Sequence, residues 1–295
     1  MRILLVGGNG QVGHELRRSL APLGEVIVTT RSGELDGGDA RACDLMQPGM
    51  VATVVRETQP DVVVNAAAYT AVDKAEGDRD VAFRVNASAV EELAKECATH
   101  GIPLVHYSTD YVFDGQGSRP YLPDDATSPL GVYGESKLAG EEAIRAAGAN
   151  HLILRTAWVY GLHGQNFLKT MLRVGGERDE LRVVSDQVGS PTPAWLIADT
   201  TAEILRQRIA EGGTHHLVSA GQTSWHGFAE AIFEEGGAVG KLQRQPVVHA
   251  IPTSEYPTPA RRPAWSVLDT ASLRQAYGLE LPDWRVALNR TLARG

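Results

Sequence analysis

Short unbroken apolar runs alternate, over the first half of the chain, with stretches whose apolar positions recur every three or four residues. Ile3-Leu4-Leu5-Val6 runs straight into glycine, as expected of a strand buried on both faces. Val12, Leu16 and Leu20 then share one helical face. Glu25 to Thr30 predicts a second strand, and Val62-Val63-Val64, introduced by Pro60-Asp61, a further one. Val90, Leu93, Ala94, Cys97 and Ala98 make a helix stripe that Gly101-Ile102-Pro103 stops. Leu104 to Ser108 predicts the next strand, Leu138 to Ala147 the next helix, and Leu152-Ile153-Leu154 the strand after it. Strands alternating with helices predict an α/β fold on a parallel, doubly wound sheet of the Rossmann type.

After about Trp158 the alternation weakens, and prolines gather at Pro191 and Pro193 and again from Pro252 to Pro259. The pattern predicts a first domain over 1–157 and a smaller, irregular α/β domain over 158–295. Late segments can still return to the first sheet. No internal repeat or low-complexity tail is present.

Composition narrows the function classes. Of the 295 residues 43% are apolar and 22% charged, enough for a real core. A formal net charge of −8 argues against a general nucleic-acid or membrane-surface binder, which needs a basic face. Cys43 and Cys97 fit neither a disulfide framework nor a metal cluster and read as small buried thiols, and no metal ligand is assigned. The apolar start is too short for a signal sequence, and no run reaches membrane-spanning length. The expectation is a soluble, cytoplasmic protein.

Gly7-Gly8-Asn9-Gly10-Gln11-Val12-Gly13 stands between the first strand and the first helix. It reads as G-x-x-G-x-x-G from Gly7 or G-x-G-x-x-G from Gly8. Such a turn lets backbone approach a pyrophosphate, which the free N–H groups of the helix start then receive. Its position at the first strand–helix junction points to a dinucleotide. The second strand ends in Thr30-Arg31-Ser32, with no carboxylate to grip an adenosine ribose. Arg31 could instead meet a 2′-phosphate, favouring NADPH, or stand as a solvated surface arginine.

Tyr133-Gly134-Glu135-Ser136-Lys137 is Y-x-x-x-K entering a helix, with both side chains on one face. A neighbouring ammonium is expected to lower the phenol's pKa and make it a usable proton relay. Ser108-Thr109-Asp110 closes a strand at the carboxyl edge, where open α/β sheets bind ligands, so a hydroxyl there could meet a substrate carbonyl. His106 reads as a hydrogen-bonded core residue. Trp158 reads equally as core packing or as a sugar or base contact. Arg261 and Arg262, in the stiff segment Pro257 to Pro263, are either a solvated pair or the positive charge that an acidic protein needs for a diphosphate.

These motifs resemble those of the extended short-chain dehydrogenase/reductases, and within them the dTDP-4-dehydrorhamnose reductase family. The resemblance is carried by Gly10-Gln11-Val12-Gly13, by Val64 to Glu76 (VNAAAYTAVDKAE), by His106 to Phe113 (HYSTDYVF) and by Tyr133 to Glu141 (YGESKLAGE). Arg155 to Tyr160 (RTAWVY) and Tyr256 to Pro263 (YPTPARRP) extend it. It implies an N-terminal NAD(P) domain, a smaller sugar-nucleotide domain, and hydride delivery to C4 of dTDP-4-dehydro-L-rhamnose. Thr109, Tyr133 and Lys137 then become the catalytic set. Gly7, Gly10, Gln11, Val12, Gly13, Arg31, Asp44, Leu45, Ala68, Tyr69, Thr70 and Tyr107 join Tyr133 and Lys137 as cofactor residues. Val72, Thr109, Asp110, Tyr133, Trp158 and Arg262 are the substrate residues. NADPH is the expected cofactor, with NADH as the alternative.

Two departures stand out. Thr30 replaces an aspartate of some members, against strict NADH use. Trp195 replaces a glutamate that helps magnesium bridge two subunits, so a metal-bridged pair is not carried over, although Glu15 is present and a homodimer stays open. The rivals are a related epimerase or dehydratase and a non-catalytic relative such as a methionine adenosyltransferase regulatory subunit. A dehydratase would need a second acid beside Thr109, where Tyr111 follows Asp110; a non-catalytic role would tolerate loss of Tyr133 or Lys137.

Overall fold

In the computed structural model, which describes residues 1–207, 209 and 212–294, seven parallel strands form the central sheet. They are β1 (Arg2–Val6), β2 (Glu25–Thr30), β3 (Arg41–Ala42), β4 (Val62–Asn65), β5 (Leu104–Thr109), β6 (His151–Thr156) and, after four short or outlying strands, β11 (Gly213–His216). Those four are β7 (Val159–Tyr160), β8 (Glu180–Val184), β9 (Val188–Gly189) and β10 (Thr192–Pro193). The spatial order is β11-β6-β5-β4-β1-β2-β3. The chain winds outward from β1 through β2 to β3, then restarts at β4 on the other side. The strand order therefore reverses between β1 and β4, and a crevice opens there at their carboxyl ends.

The apolar runs are buried because helices cover both faces. α1 (Gln11–Leu20), α8 (Ala194–Arg206) and α10 (Ala271–Tyr277) cover one, packing Leu16, Leu20, Ile197, Ile204, Leu273 and Tyr277 against Ile3, Leu5 and Val105. α2 (Met50–Thr58), α5 (Ala89–His100) and α6 (Val132–Ala147) cover the other, packing Val51, Val55, Val90, Leu93 and Ile144 against Leu4, Val6 and Val63. Cys43 and Cys97 are free thiols buried in this second core.

A separate apolar cluster gathers late segments. α7 (Phe167–Glu177), α9 (Trp225–Ala238) and α11 (Trp284–Ala293) meet around Leu168, Met171, Phe228, Ile232, Phe233, Leu288 and Leu292. β8 pairs in parallel with β13 (Val247–Ile251), and β12 (Thr223–Ser224) pairs with β9. Among the described residues no helix is long and apolar enough to cross a membrane.

Two elements depart from the hydrophobic reading. α6 begins at Val132 rather than at the apolar start Leu138, and it carries Tyr133 and Lys137 one turn apart as the Y-x-x-x-K spacing predicts. Its opening turns are buried through polar groups, with Ser136 and Lys137 almost inaccessible, and an apolar stripe cannot mark them. β11, with the sequence Gly-Thr-His-His, carries no apolar run, yet it pairs along β6 with His215 and His216 buried.

Candidate active site

The glycine turn leaves β1 and enters α1 at the point where the strand order reverses. Gly7 has φ +87°, and a Cβ there would stand 2.7 Å from the Ala67 backbone nitrogen. A Cβ on Gly13 would stand 2.0 Å from the Gly7 carbonyl oxygen, so α1 can sit this close to the turn only with glycine there. Gly10 caps α1 without a side chain, leaving the first-turn N–H groups to an anion. Gln11 is held from the side, accepting a hydrogen bond from Asn166 Nδ2 at 2.9 Å, while Val12 packs against the core.

Beside this turn lies a hollow of about 160 Å³ lined by Gly7, Gly10, Thr30, Arg31, Asp44, Leu45 and Ala66 to Ala68. It gathers residues from the ends of β1, β2 and β4. Thr30 is 1% exposed and its hydroxyl closes the turn after β2, donating to the Glu34 carbonyl at 3.0 Å. Arg31 is exposed at the rim. Arg31 at the rim, and the absence of a carboxylate at the end of β2, suit the adenosine end of NADPH.

From Ala68 the chain runs past Tyr69 and Thr70 into a second cleft of about 570 Å³. Thr70, Val72, Asp73, Tyr111, Phe167, Arg182, Trp225, Tyr256 and Arg262 line it. Segments on both sides of residue 158 thus share one wall. Tyr69 is fixed by Asn86, whose carboxamide pairs with the Tyr69 backbone N–H at 2.8 Å and its carbonyl at 3.0 Å. Arg262 donates to Asp73 at 2.7 Å and to the Tyr111 hydroxyl at 3.2 Å. Trp158, with φ +50°, does not line this cleft: its ring stacks on Trp225 at 3.6 Å and supports that side chain from behind.

Thr109 ends β5 and Asp110 follows it, the two being 5% and 3% exposed. Thr109 Oγ1 donates to Asp110 Oδ1 at 2.9 Å and accepts the Tyr111 N–H at 3.2 Å. Burial pushes the Asp110 carboxyl up to about 6, against the opposing hydrogen bond of Thr109. The Tyr111 ring meets the half-buried Tyr133 ring edge-on at 5.4 Å.

The expected lowering of the Tyr133 phenol is not found. Protein crowded around the hydroxyl pushes it above the ordinary tyrosine value, Thr109 only partly opposes this, and Asp110 and Tyr111 add to it. Lys137 Nζ lies 2.7 Å from the Tyr107 carbonyl and 3.2 Å from His106 Nε2. A raised phenol is the right state for an acid, since it carries its proton across the neutral range. Tyr107 reaches the site only by that carbonyl; its hydroxyl bonds Thr201 at 2.8 Å under the sheet.

The magnesium position of the family does not fit this chain. A cleft of about 580 Å³ holds Glu15, Arg18, Trp195 and Arg294. Arg18 lies 3.5 Å from Glu15, and the Arg294 guanidinium covers the Trp195 ring at 4.2 Å. Glu15 is the one carboxylate of this lining and Arg18 pairs with it, while a tryptophan ring stands where a second oxygen ligand would be, so a divalent cation lacks the oxygen donors it needs. Among the described residues no group of three or more His, Cys, Asp or Glu side chains could hold a metal.

Sequence reasoning missed Phe167, Arg182 and Trp225, which no motif signals.

A family model described as the RmlD substrate binding domain matches residues 1–295. A dTDP-4-dehydrorhamnose reductase of Shigella flexneri is 49% identical over 296 residues, covering 99% of this chain and 97% of that protein. The structure of a dTDP-4-dehydrorhamnose reductase from Clostridium acetobutylicum is similar with a TM-score of 0.90 at 36% identity, covering 100% and 99% of the two chains. One from Bacillus anthracis, in complex with NADP, gives 0.90 at 33% identity with the same coverage.

Proposed function

The chain belongs to the dTDP-4-dehydrorhamnose reductase family, and from that premise we propose that Thr109, Tyr133 and Lys137 are its catalytic residues. The protein is an NAD(P)-dependent oxidoreductase that reduces the C4 ketone of dTDP-4-dehydro-L-rhamnose. The observation that supports the residue assignment is the packing of Tyr133 edge-on against Tyr111, which lines the aromatic cleft and gives its N–H to the Thr109 hydroxyl. NADPH, when bound, supplies the hydride. Thr109 orients the ketone oxygen, Tyr133 gives it a proton, and Lys137 holds the nicotinamide ribose. The sugar nucleotide occupies the second cleft, with Val72, Asp110 and Arg262 around it and Trp158 acting through Trp225.

Residues 1–157 form the NAD(P) domain and 158–295 the sugar-nucleotide domain, with α8, β11 and α10 returning to the first. The protein works in the cytoplasm, and any homodimer forms without a bridging metal. The deciding experiment is steady-state turnover of dTDP-4-dehydro-L-rhamnose with NADPH and with NADH. Oxidation of neither cofactor would reject the reading in favour of a non-catalytic relative.

Arg31 at the rim of the hollow should favour NADPH through the extra phosphate. A charge-assisted hydrogen bond of about 1.5–3 kcal/mol corresponds to at least about tenfold in affinity. Arg31→Ala is therefore expected to weaken NADPH by that factor and leave NADH nearly unchanged. Equal losses in fluorescence titrations would place Arg31 away from the phosphate.

Arg262 spans Asp73 and Tyr111 with two separate nitrogens, which a lysine ammonium cannot copy. Arg262→Lys should raise KM for the sugar nucleotide by about tenfold, with a smaller effect on kcat, because the diphosphate does not change during hydride transfer. An unaltered KM would put the diphosphate elsewhere.

A further inference from the structure

Behind Lys137 lies a buried chain of polar groups that the reaction as described does not use. Asn65, His106 and Lys137 are 2%, 0% and 2% exposed, so their hydrogen bonds must be met within the protein. Asn65 Oδ1 accepts the Ala67 N–H at 3.2 Å, and its Nδ2 lies 3.1 Å from His106 Nδ1. His106 Nε2 faces Lys137 Nζ at 3.2 Å, and Nζ donates to the Tyr107 carbonyl at 2.7 Å.

Donors and acceptors can be assigned around this chain. Burial, and then the Lys137 charge, hold the His106 imidazole well below its ordinary value, so the ring is neutral. A neutral imidazole has one N–H and one lone pair. The carboxamide oxygen of Asn65 is taken by Ala67, so its NH₂ donates and Nδ1 spends the lone pair. The ring proton then sits on Nε2 and points at Lys137. An ammonium has no acceptor to offer it, whereas an uncharged amine does. The other groups facing the pair are the Tyr107 carbonyl from β5 and Glu141 one turn along α6. Glu141 favours the charged lysine but is committed to Arg155 and Arg145. Burial prevails and pushes the Lys137 ammonium down to about 8.

We propose that His106 is a positioning residue that loosens the proton of Lys137 and receives the resulting amine through Nε2–H. The proposal rests on the reductase reading of Tyr133 and Lys137. In each turnover the ketone carbon gains the hydride and its oxygen gains the Tyr133 proton. The Tyr133 phenolate regains its proton from water before the next cycle, while Lys137 turns toward His106 and, on losing its own proton, becomes an amine hydrogen-bonded by Nε2–H. Without the Nε2–H the amine would lose its donor and Lys137 would hold its proton more tightly.

The test is the titration of Lys137, followed by NMR of ¹³Cε-labelled lysine and assigned by Lys137→Arg, beside the pH profile of kcat. His106→Leu should move the Lys137 midpoint up by about one pH unit or more. The alkaline limb of kcat should follow it, with KM for NADPH within about twofold. His106→Gln can accept from Asn65 and donate to Nζ, and should restore the parent midpoint. Asn65→Asp offers only acceptors, draws the ring proton to Nδ1, and turns the Nε2 lone pair toward Lys137. It should raise the midpoint with the imidazole in place, and it decides the matter if His106→Leu does not fold. Unchanged midpoints in natively folded His106→Leu and Asn65→Asp, beside normal turnover, would overturn the proposal. Shifted midpoints in a protein with no turnover would instead count against the reductase reading.

Discussion

Tyr133→Phe is expected to lower kcat by about 10²–10⁴-fold, the usual worth of a positioned general acid. The substitution keeps the ring that packs edge-on against Tyr111 and removes only the hydroxyl. Fold and NADPH affinity should therefore stay close to the parent, and the loss should fall in kcat. Because burial pushes the phenol above its ordinary value, the parent enzyme should not lose the Tyr133 proton anywhere between pH 6 and about 9. Any alkaline decline of kcat in that range belongs to another group, for which Lys137, pushed down to about 8, is the candidate. Steady-state kinetics across pH, with melting curves to verify the fold, test this. A folded variant retaining kcat within tenfold of the parent would remove Tyr133 from its role.

The parts of the site that the sequence makes legible are those encoded within a few residues. Gly7, Gly8 and Gly13 stand together because one tight turn leaves no room for a Cβ at any of them, and the apolar run ahead of them marks the strand. Tyr133 and Lys137 are four residues apart because one helical turn separates them. The aromatic cleft was not legible for the opposite reason. Phe167, Arg182 and Trp225 come from α7, β8 and α9, and only tertiary packing carries them to Thr70 and Val72. Trp158 reads from sequence as either packing or a sugar contact, and its ring stacks on Trp225, which lines the cleft. Polar burial accounts for the rest. Ser136 and Lys137 near the start of α6, and His215 and His216 in β11, are buried polar side chains, which a hydrophobic pattern reads as surface. His106 is the hydrogen-bonded core residue expected, and only its partner was not legible, because Lys137 comes from another element.

The largest effect on stability is expected from Glu141→Gln, which should cost about 3–5 kcal/mol and lower Tm by roughly 5–15 °C. Glu141 is fully buried on α6 and receives Arg155 from β6 in a fork, with Nε at 2.9 Å and Nη2 at 2.7 Å. Arg155 is itself 2% exposed, and its Nη1 donates to the Pro123 carbonyl at 2.9 Å. Removing the carboxylate strands a guanidinium where water cannot reach it, and that desolvation sets the size of the loss. If so, Glu141→Leu combined with Arg155→Met should recover most of the stability, since neither charge then remains buried. Acid should act on the same pair. Burial alone would raise the Glu141 carboxyl, but the hydrogen bond and charge of Arg155 prevail and hold it below the ordinary glutamate value. Its contribution is therefore fully present above the unfolded value of about 4.3 and is lost as pH falls through the lower folded one. Glu141→Gln should accordingly flatten the dependence of Tm on pH below about 4.3 relative to the parent. The fork also fixes α6 against β6, the strand beside β5, so it sets where Tyr133 stands relative to Thr109. A kcat loss in Glu141→Gln that the Leu/Met double variant reverses would tie that placement to the fork, whereas a loss in Tm below about 1 kcal/mol equivalent would show that the buried arginine is satisfied without its glutamate.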